Sequence, residues 1–224
     1  MTNSILIAGA SRGVGREIAK LLTTQNHRVT ALLRSDASRA ELEAMGVQVV
    51  IADAMEPDQV QSALLGDQQV DIVISTIGGL PQDGVKPDYP ANKNLIDAAV
   101  AAGVKKFILV TSIGTGNSVS ALSPQTLAVL QPVLIEKDKA EQHLIKSGLT
   151  YTIIRPGGLK SEPATGNGVL TEDIRVIGSI HRADVADLVC LTLANTRADN
   201  KILSAVDKNM LFGQFEFETF DISY

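Results

Sequence analysis

Ile5-Leu6-Ile7-Ala8-Gly9-Ala10-Ser11-Arg12-Gly13-Val14-Gly15-Arg16-Glu17-Ile18 is the stretch that decides the fold. Its first four residues form a short apolar run that reads as a buried strand, and from Val14 onward apolar positions recur at helical spacing. The glycines therefore fall in a strand-to-helix turn. Gly9, Gly13 and Gly15 divide three tasks there: a tight turn, close approach of backbone to a pyrophosphate, and close packing of helix on strand. With Ser11, Arg12 and Val14 they place the unpaired N–H groups of a helix start, and its positive dipole end, where phosphates can reach them. The turn reads as a dinucleotide site.

Working outward, short apolar runs at residues 29–33, 47–51, 72–74, 107–110 and 152–154 read as further strands. Segments 14–24, 38–45, 58–65, 92–102 and 137–147 carry apolar positions three or four apart and read as helices, with a further helix over 183–194 and a strand over 202–206. End signals agree: Gly46 and Gly103 fall just past helices, and Pro57 opens one. Continuously apolar strands alternating with amphipathic helices give an α/β protein with a Rossmann-type, doubly wound parallel sheet. One NAD(P)-binding domain over residues 1–224 is expected. Segments 115–132 and 157–179 fit the pattern poorly and follow strands, so loops near 78–90, 113–132 and 157–179 are expected to hold the substrate at the carboxyl edge of the sheet.

The chain has 224 residues, a net charge of −5 and scattered basic residues, which argues against a nucleic-acid partner. No apolar run approaches the length of a membrane span, and residues 1–4 pass straight into the first strand without a basic signal region, so a cytoplasmic protein is expected. The single cysteine, Cys190, lies among apolar residues of a helix and reads as core. His27, His143 and His181 show no metal-ligand spacing.

Which dinucleotide binds is decided at the end of the second strand. A site for NAD places a carboxylate there for the ribose hydroxyls, whereas a 2′-phosphate needs positive charge. The strand ends Leu32-Leu33-Arg34-Ser35, with no acid before Asp36. Arg34 can offer a charged fork, Ser35 a hydroxyl and Arg12 a second cation, so the expected cofactor is NADP(H); the alternative is that both are ordinary surface arginines.

These residues give the chain a resemblance to the short-chain dehydrogenase/reductase superfamily over residues 4–206. The spacing of Gly9, Gly13 and Gly15 is similar to that superfamily's glycine turn. The resemblance implies that Asp53, with the adjacent Ala54, meets the adenine, and that Thr76, Ile77 and Gly78 in the run Ser75-Thr76-Ile77-Gly78-Gly79 line the cofactor. It also implies that Thr111 and Ser112 in Phe107-Ile108-Leu109-Val110-Thr111-Ser112 lie beside the nicotinamide, Ser112 as the active-site serine.

The segment from Lys137 to Gly158 resembles the atypical NmrA-like and Tic62-like NADP-binding proteins. That implies a catalytic Lys137 on the nicotinamide ribose, with a solvated helix lysine as the alternative, and places Pro156, Gly157 and Gly158 at the cofactor. Four residues before Lys137, where a YxxxK enzyme carries its tyrosine acid, stands Val133, which cannot donate a proton. Neither Tyr89 nor Tyr151 replaces it by spacing. The run from Gly157 to Thr171 and Ile180-His181-Arg182-Ala183-Asp184-Val185-Ala186 resemble the biliverdin-IXβ reductase/flavin reductase group. That resemblance implies NADPH-dependent hydride transfer to a small conjugated acceptor, a flavin or linear tetrapyrrole, which can take its proton from solvent. Two alternatives stay open: a non-catalytic NADP(H)-responsive binding module, and isomerase or epimerase chemistry on a bound cofactor. Because 4% of the chain is aromatic, the acceptor is expected to meet aliphatic residues such as Leu80, Leu122 and Leu159.

Overall fold

A computed structural model of the chain describes residues 2–66, 69–79, 84, 86–214 and 216–222. Leu80 lies outside the described residues. Strand β1 (Ser4–Ala8) forms at the opening apolar run, and helix α1 (Gly13–Thr24) follows the glycine turn. Next come β2 (Arg28–Leu33), α2 (Arg39–Ala44), β3 (Gln48–Ile51), α3 (Pro57–Leu64), β4 (Ile72–Ser75), α4 (Pro90–Ala101) and β5 (Lys106–Val110). The second half holds α5 (Pro124–Lys146), β6 (Thr150–Pro156), β7 (Gly158–Lys160), β8 (Gly168–Thr171), β9 (Ser179–His181), α6 (Arg182–Leu193) and β10 (Lys201–Asp207).

The large sheet has eight strands in the order β3-β2-β1-β4-β5-β6-β10-β8, parallel except where β8 meets β10. Strand order reverses between β1 and β4, so a crevice opens at their carboxyl ends. Alternate residues of β1 serve opposite faces: Ile5 and Ile7 pack with Val14, Ile18 and Leu22 of α1 and with α6, while Leu6 and Ala8 pack with α3, α4 and α5. Both faces being covered, the central strands β4 and β5 are buried along their whole length. Phe107 sits fully buried among them.

Two expected loops contain regular structure. Residues 115–132 do not form one irregular segment: a 3₁₀ turn (Gly116–Ala121) leads into α5, which begins at Pro124 and runs through Pro132. Ser123 caps the helix, its hydroxyl accepting from the Thr126 N–H at 3.2 Å, and Pro124 occupies the first turn where no N–H is needed. Within 157–179, β8 adds an antiparallel strand beside β10, and β7 pairs with β9 in a small parallel sheet. Ser38, the first residue of the expected second helix, ends a 3₁₀ turn over 36–38, with α2 following.

The C-terminal segment then covers the edge strand β8. The Phe220 N–H donates to the Leu170 carbonyl at 2.7 Å, and the Thr171 hydroxyl donates to the Glu218 carbonyl at 2.7 Å. Such cover removes an edge that could otherwise template pairing with another chain. Among the described residues no helix is long and apolar enough to cross a membrane.

Candidate cofactor and acceptor site

The glycine turn is built to closeness that side chains would spoil. A β-carbon on Gly9, whose φ is +92°, would lie 2.5 Å from Thr76 Oγ1, and one on Gly15 would lie 2.6 Å from the same atom and collide with the Gly9 carbonyl. The Thr76 N–H donates to the Ala8 carbonyl at 2.9 Å, so the turns after β1 and β4 are stitched together. Arg12 adopts extended backbone ahead of α1, whose first turn has neither a side-chain cap nor an acidic residue. Those free N–H groups suit a phosphate. Arg16 is not available for one, because its guanidinium donates to the Ser11 carbonyl and to Glu41 Oε1.

Two adjoining clefts share Gly9, Ser11, Arg12, Ile77 and Pro87 and together follow the carboxyl edge of the sheet. The first, of about 430 Å³, holds Arg34, Ser35, Asp53 and Ala54. Arg12 and Arg34 are exposed and have no hydrogen-bond or ion-pair partner among the described residues, whereas the nearby acid Asp36 is taken by Arg39 at 2.5 Å. The Asp53 carboxylate accepts from the Met55 N–H through Oδ1 at 2.9 Å, which steadies the turn after β3.

The second cleft, of about 870 Å³, holds Gly13, Val14, Thr76, Gly78, Ser112 and Lys137. Ser112 is half-buried, and its hydroxyl has no partner among the described residues. Lys137 is no solvated helix lysine: its side chain is 12% exposed and its Nζ lies 2.8 Å from Oδ1 of the fully buried Asp88. That contact is a close charge pair rather than an aligned hydrogen bond, and Asp88 Oδ2 has no partner among the described residues. Gly78 makes room for it, since a β-carbon there would lie 2.5 Å from both Lys137 Nζ and Asp88 Oδ1. Asn92 of α4 holds the turn from behind, pairing with the Ser75 hydroxyl at 2.5 Å and donating to the Ile77 carbonyl at 3.3 Å.

Val133, one helical turn before Lys137, is buried and lines this cleft. No tyrosine, histidine or carboxylate lines it among the described residues; its charged groups are Arg12, Lys137 and Arg182. Its apolar wall comes from Leu130, Val133, Leu134 and Leu159.

Some expected positions also have partners within the fold. Thr111 lines the larger cleft, and its hydroxyl donates to Glu141 Oε1 at 2.6 Å. Glu141 in turn receives both Nε and Nη2 of Arg155, at 3.1 and 2.5 Å, in a buried network. Pro156 and Gly158 lie outside both clefts; Gly157 lines the larger one, but its N–H donates to the Ala205 carbonyl and that of Gly158 to the Gly178 carbonyl, both at 2.9 Å. Gly157 must still be small, since its β-carbon would collide with the Gly178 carbonyl. Leu122 packs under Gly114 rather than in the cleft. Asp88, Leu130, Leu134 and Arg182 were not singled out from sequence. For Arg182 the signal was present, a cation opening a helix after the acceptor loop; for Asp88 there was none.

Elsewhere, a cleft of about 1010 Å³ beside the C-terminal segment is lined by charges that are paired in part, Arg175 with Asp173 and Lys201 with Glu172. Burial pushes the Cys190 thiol up to about 12, as a core cysteine requires. No group of metal-ligating residues occurs among the described residues.

The model of an NAD(P)H-binding family matches residues 9–196. The "uncharacterized sugar epimerase YhfK" of Bacillus subtilis is 32% identical over 203 residues, which cover 88% of this chain and 91% of that protein. Protein TIC 62, chloroplastic, of Pisum sativum is 33% identical over 86% of this chain, which corresponds to 40% of its own length. Among solved structures, the anaerobilin reductase ChuY of Escherichia coli O157:H7 is 34% identical, with a TM-score of 0.81 over 92% of this chain and 98% of that one.

Proposed function

The chain belongs to the NAD(P)H-binding family, within the atypical short-chain dehydrogenases/reductases, and from that membership we propose that it is an NADPH-dependent reductase of a conjugated acceptor such as a free flavin or a linear tetrapyrrole. The residues fit the cofactor: a turn in which β-carbons on Gly9 and Gly15 would collide with their neighbours, an uncapped helix start, and two arginines unpaired among the described residues, Arg34 where an NAD site needs a carboxylate and Arg12 in the glycine turn. When bound, NADPH supplies the hydride from its nicotinamide. Arg34, Ser35 and Arg12 would grip the 2′-phosphate, Ser112 would orient the ring or the acceptor by a hydrogen bond, and Lys137, held by Asp88, would bond the ribose.

The observation that carries the acceptor class is Val133. It occupies the cleft wall where a YxxxK enzyme carries its tyrosine, so the usual acid that protonates an alkoxide is missing. A conjugated acceptor needs none, because it spreads the incoming electron pair over its π-system and collects its proton from water. The aliphatic wall and the similarity to an anaerobilin reductase support the same reading. NADPH consumption with a flavin or linear tetrapyrrole, and none with a simple ketone, is the expected result. Tight NADPH binding with no acceptor reduced would overturn it in favour of a non-catalytic NADP(H)-binding module, the reading that similarity to a Tic62 protein also accommodates.

A further inference from the structure

Arg182 is the first residue of α6, and its guanidinium lies over the glycine turn. A β-carbon on Gly13, whose φ is +59°, would sit 3.5 Å from Arg182 Nε and 3.7 Å from its Cδ, with no other group within 4 Å. Arg182 therefore stands at the amino end of two helices, its own and α1. Both ends carry partial positive charge, so a cation is unfavourable there unless an anion joins it. No carboxylate pairs with Arg182 among the described residues; its hydrogen bond there is from Nη1 to the neutral Ser161 hydroxyl, at 2.7 Å. Asp184, the acid in the first turn of α6, is occupied elsewhere, accepting from the N–H groups of Thr165 and Gly166. Arg12 and Lys137 add two more cations to the same cleft. The half-buried guanidinium thus has donors to spare and an electrostatic need for a counter-anion at Gly13.

We propose that Arg182 is a ligand of the cofactor's pyrophosphate, reaching it from α6 while the α1 N–H groups reach it through the glycine turn. The inference rests on the dinucleotide site described above and adds to it a residue from the far end of the chain. It also connects the cofactor to the acceptor side, because Ser161 belongs to the segment between β7 and β8. That segment does not depend on Arg182 for its place: His181 Nδ1 pairs with the Pro163 carbonyl at 2.6 Å, and Asp184 holds Thr165 and Gly166. An Arg182 variant should therefore fold.

The test exploits what the two cofactors share. NADH and NADPH carry the same pyrophosphate and differ only in the 2′-phosphate. Calorimetric titration of both into wild type, Arg182→Gln and Arg182→Lys is expected to show Arg182→Gln weakening both by the same factor, about ten- to a hundredfold, as loss of a charge-assisted bond would. Arg182→Lys, which keeps a charge but not the fork, should lose less and again equally for both, and it carries the test should the glutamine variant not fold. Affinities in Arg182→Gln within about twofold of wild type would overturn the inference. So would a loss confined to NADPH, which would assign Arg182 to the 2′-phosphate, or a change confined to the acceptor's KM, which would assign it to the acceptor. Wild-type protein that binds neither cofactor would overturn the functional reading itself, a result distinct from wild-type binding that Arg182→Gln leaves untouched.

Discussion

Arg34 directly follows β2, its guanidinium exposed and unpartnered among the described residues, and lines the same cleft as an equally free Arg12. A hydrogen bond to a charged group contributes about 1.5–3 kcal/mol, so NADPH should bind roughly ten to a hundred times more tightly than NADH. Arg34→Ala should remove most of that preference and leave NADH binding nearly unchanged; equal wild-type affinities, or a preference that survives the substitution, would show that Arg34 serves another purpose. Added salt should weaken NADPH more than NADH, since exposed charge pairs are screened. Ser112→Ala should cost about 0.5–1.5 kcal/mol, a few-fold to tenfold in rate, if the hydroxyl only orients a ligand. A loss beyond about a thousandfold would make it a proton donor instead. At this scale the sequence was most legible where function is local. The glycine turn and the Arg34-Ser35 end each declare themselves within a few residues. Asp88 and Arg182 did not, because each acquires its meaning from a partner brought in by the fold, Lys137 in one case and Gly13 in the other.

Helix α5 is fastened to β5 and β6 by one buried carboxylate, Glu141, which takes the Thr111 hydroxyl and two nitrogens of Arg155. Arg155 continues the network to Asn117 Oδ1 at 2.6 Å, in the turn just past Ser112. Glu141→Leu would strand a buried guanidinium and should cost about 3–5 kcal/mol, whereas Glu141→Leu combined with Arg155→Met should cost less than the single change. Urea unfolding of both variants reads this directly, and a double variant less stable than the single one would contradict it. Asp71, just before β4, ties the start of β1 to the start of β5: it receives Lys105 Nζ at 2.8 Å and the Ser4 N–H at 2.9 Å. These two bonds, Lys105 first, hold its carboxyl below the ordinary value. A depressed carboxylate contributes its stabilisation fully above the ordinary range and loses it as pH falls through the folded-state value. Asp71→Asn should therefore flatten the acid side of the stability profile; an unchanged acid slope would sink the assignment. The strands and helices flanking the glycine turn follow from apolar period alone, as does the second half of α5, but its first half did not. Pro132 and the polar Gly116-Asn117-Ser118 run suggest a loop, yet the Ser123-Pro124 pair is a helix start, and a proline inside a long helix costs one hydrogen bond without ending it.

Across the whole molecule, the reversal of strand order between β1 and β4 fixes where chemistry can occur. It gathers at one sheet edge the turns after β1, β4 and β5, and the amino end of α6 meets them there. The fold class was legible because alternating strands and helices admit few arrangements. The antiparallel β8 and the C-terminal cover were not, because each depends on pairing with a distant strand. The resulting site offers cations and aliphatic surface but no hydroxyl acid at Val133. Hydride transfer without a protein acid is thus the central claim, and a single-turnover experiment tests it most directly. Enzyme loaded with NADPH, or with NADPH deuterated at the transferred position, is mixed without oxygen against a linear tetrapyrrole. The nicotinamide signal should decay as the acceptor is reduced, more slowly with the deuterated cofactor, and Val133→Tyr should not accelerate it. Acceptor that binds while NADPH stays unoxidised, or a rate that rises steeply when Val133→Tyr supplies an acid, would contradict the account.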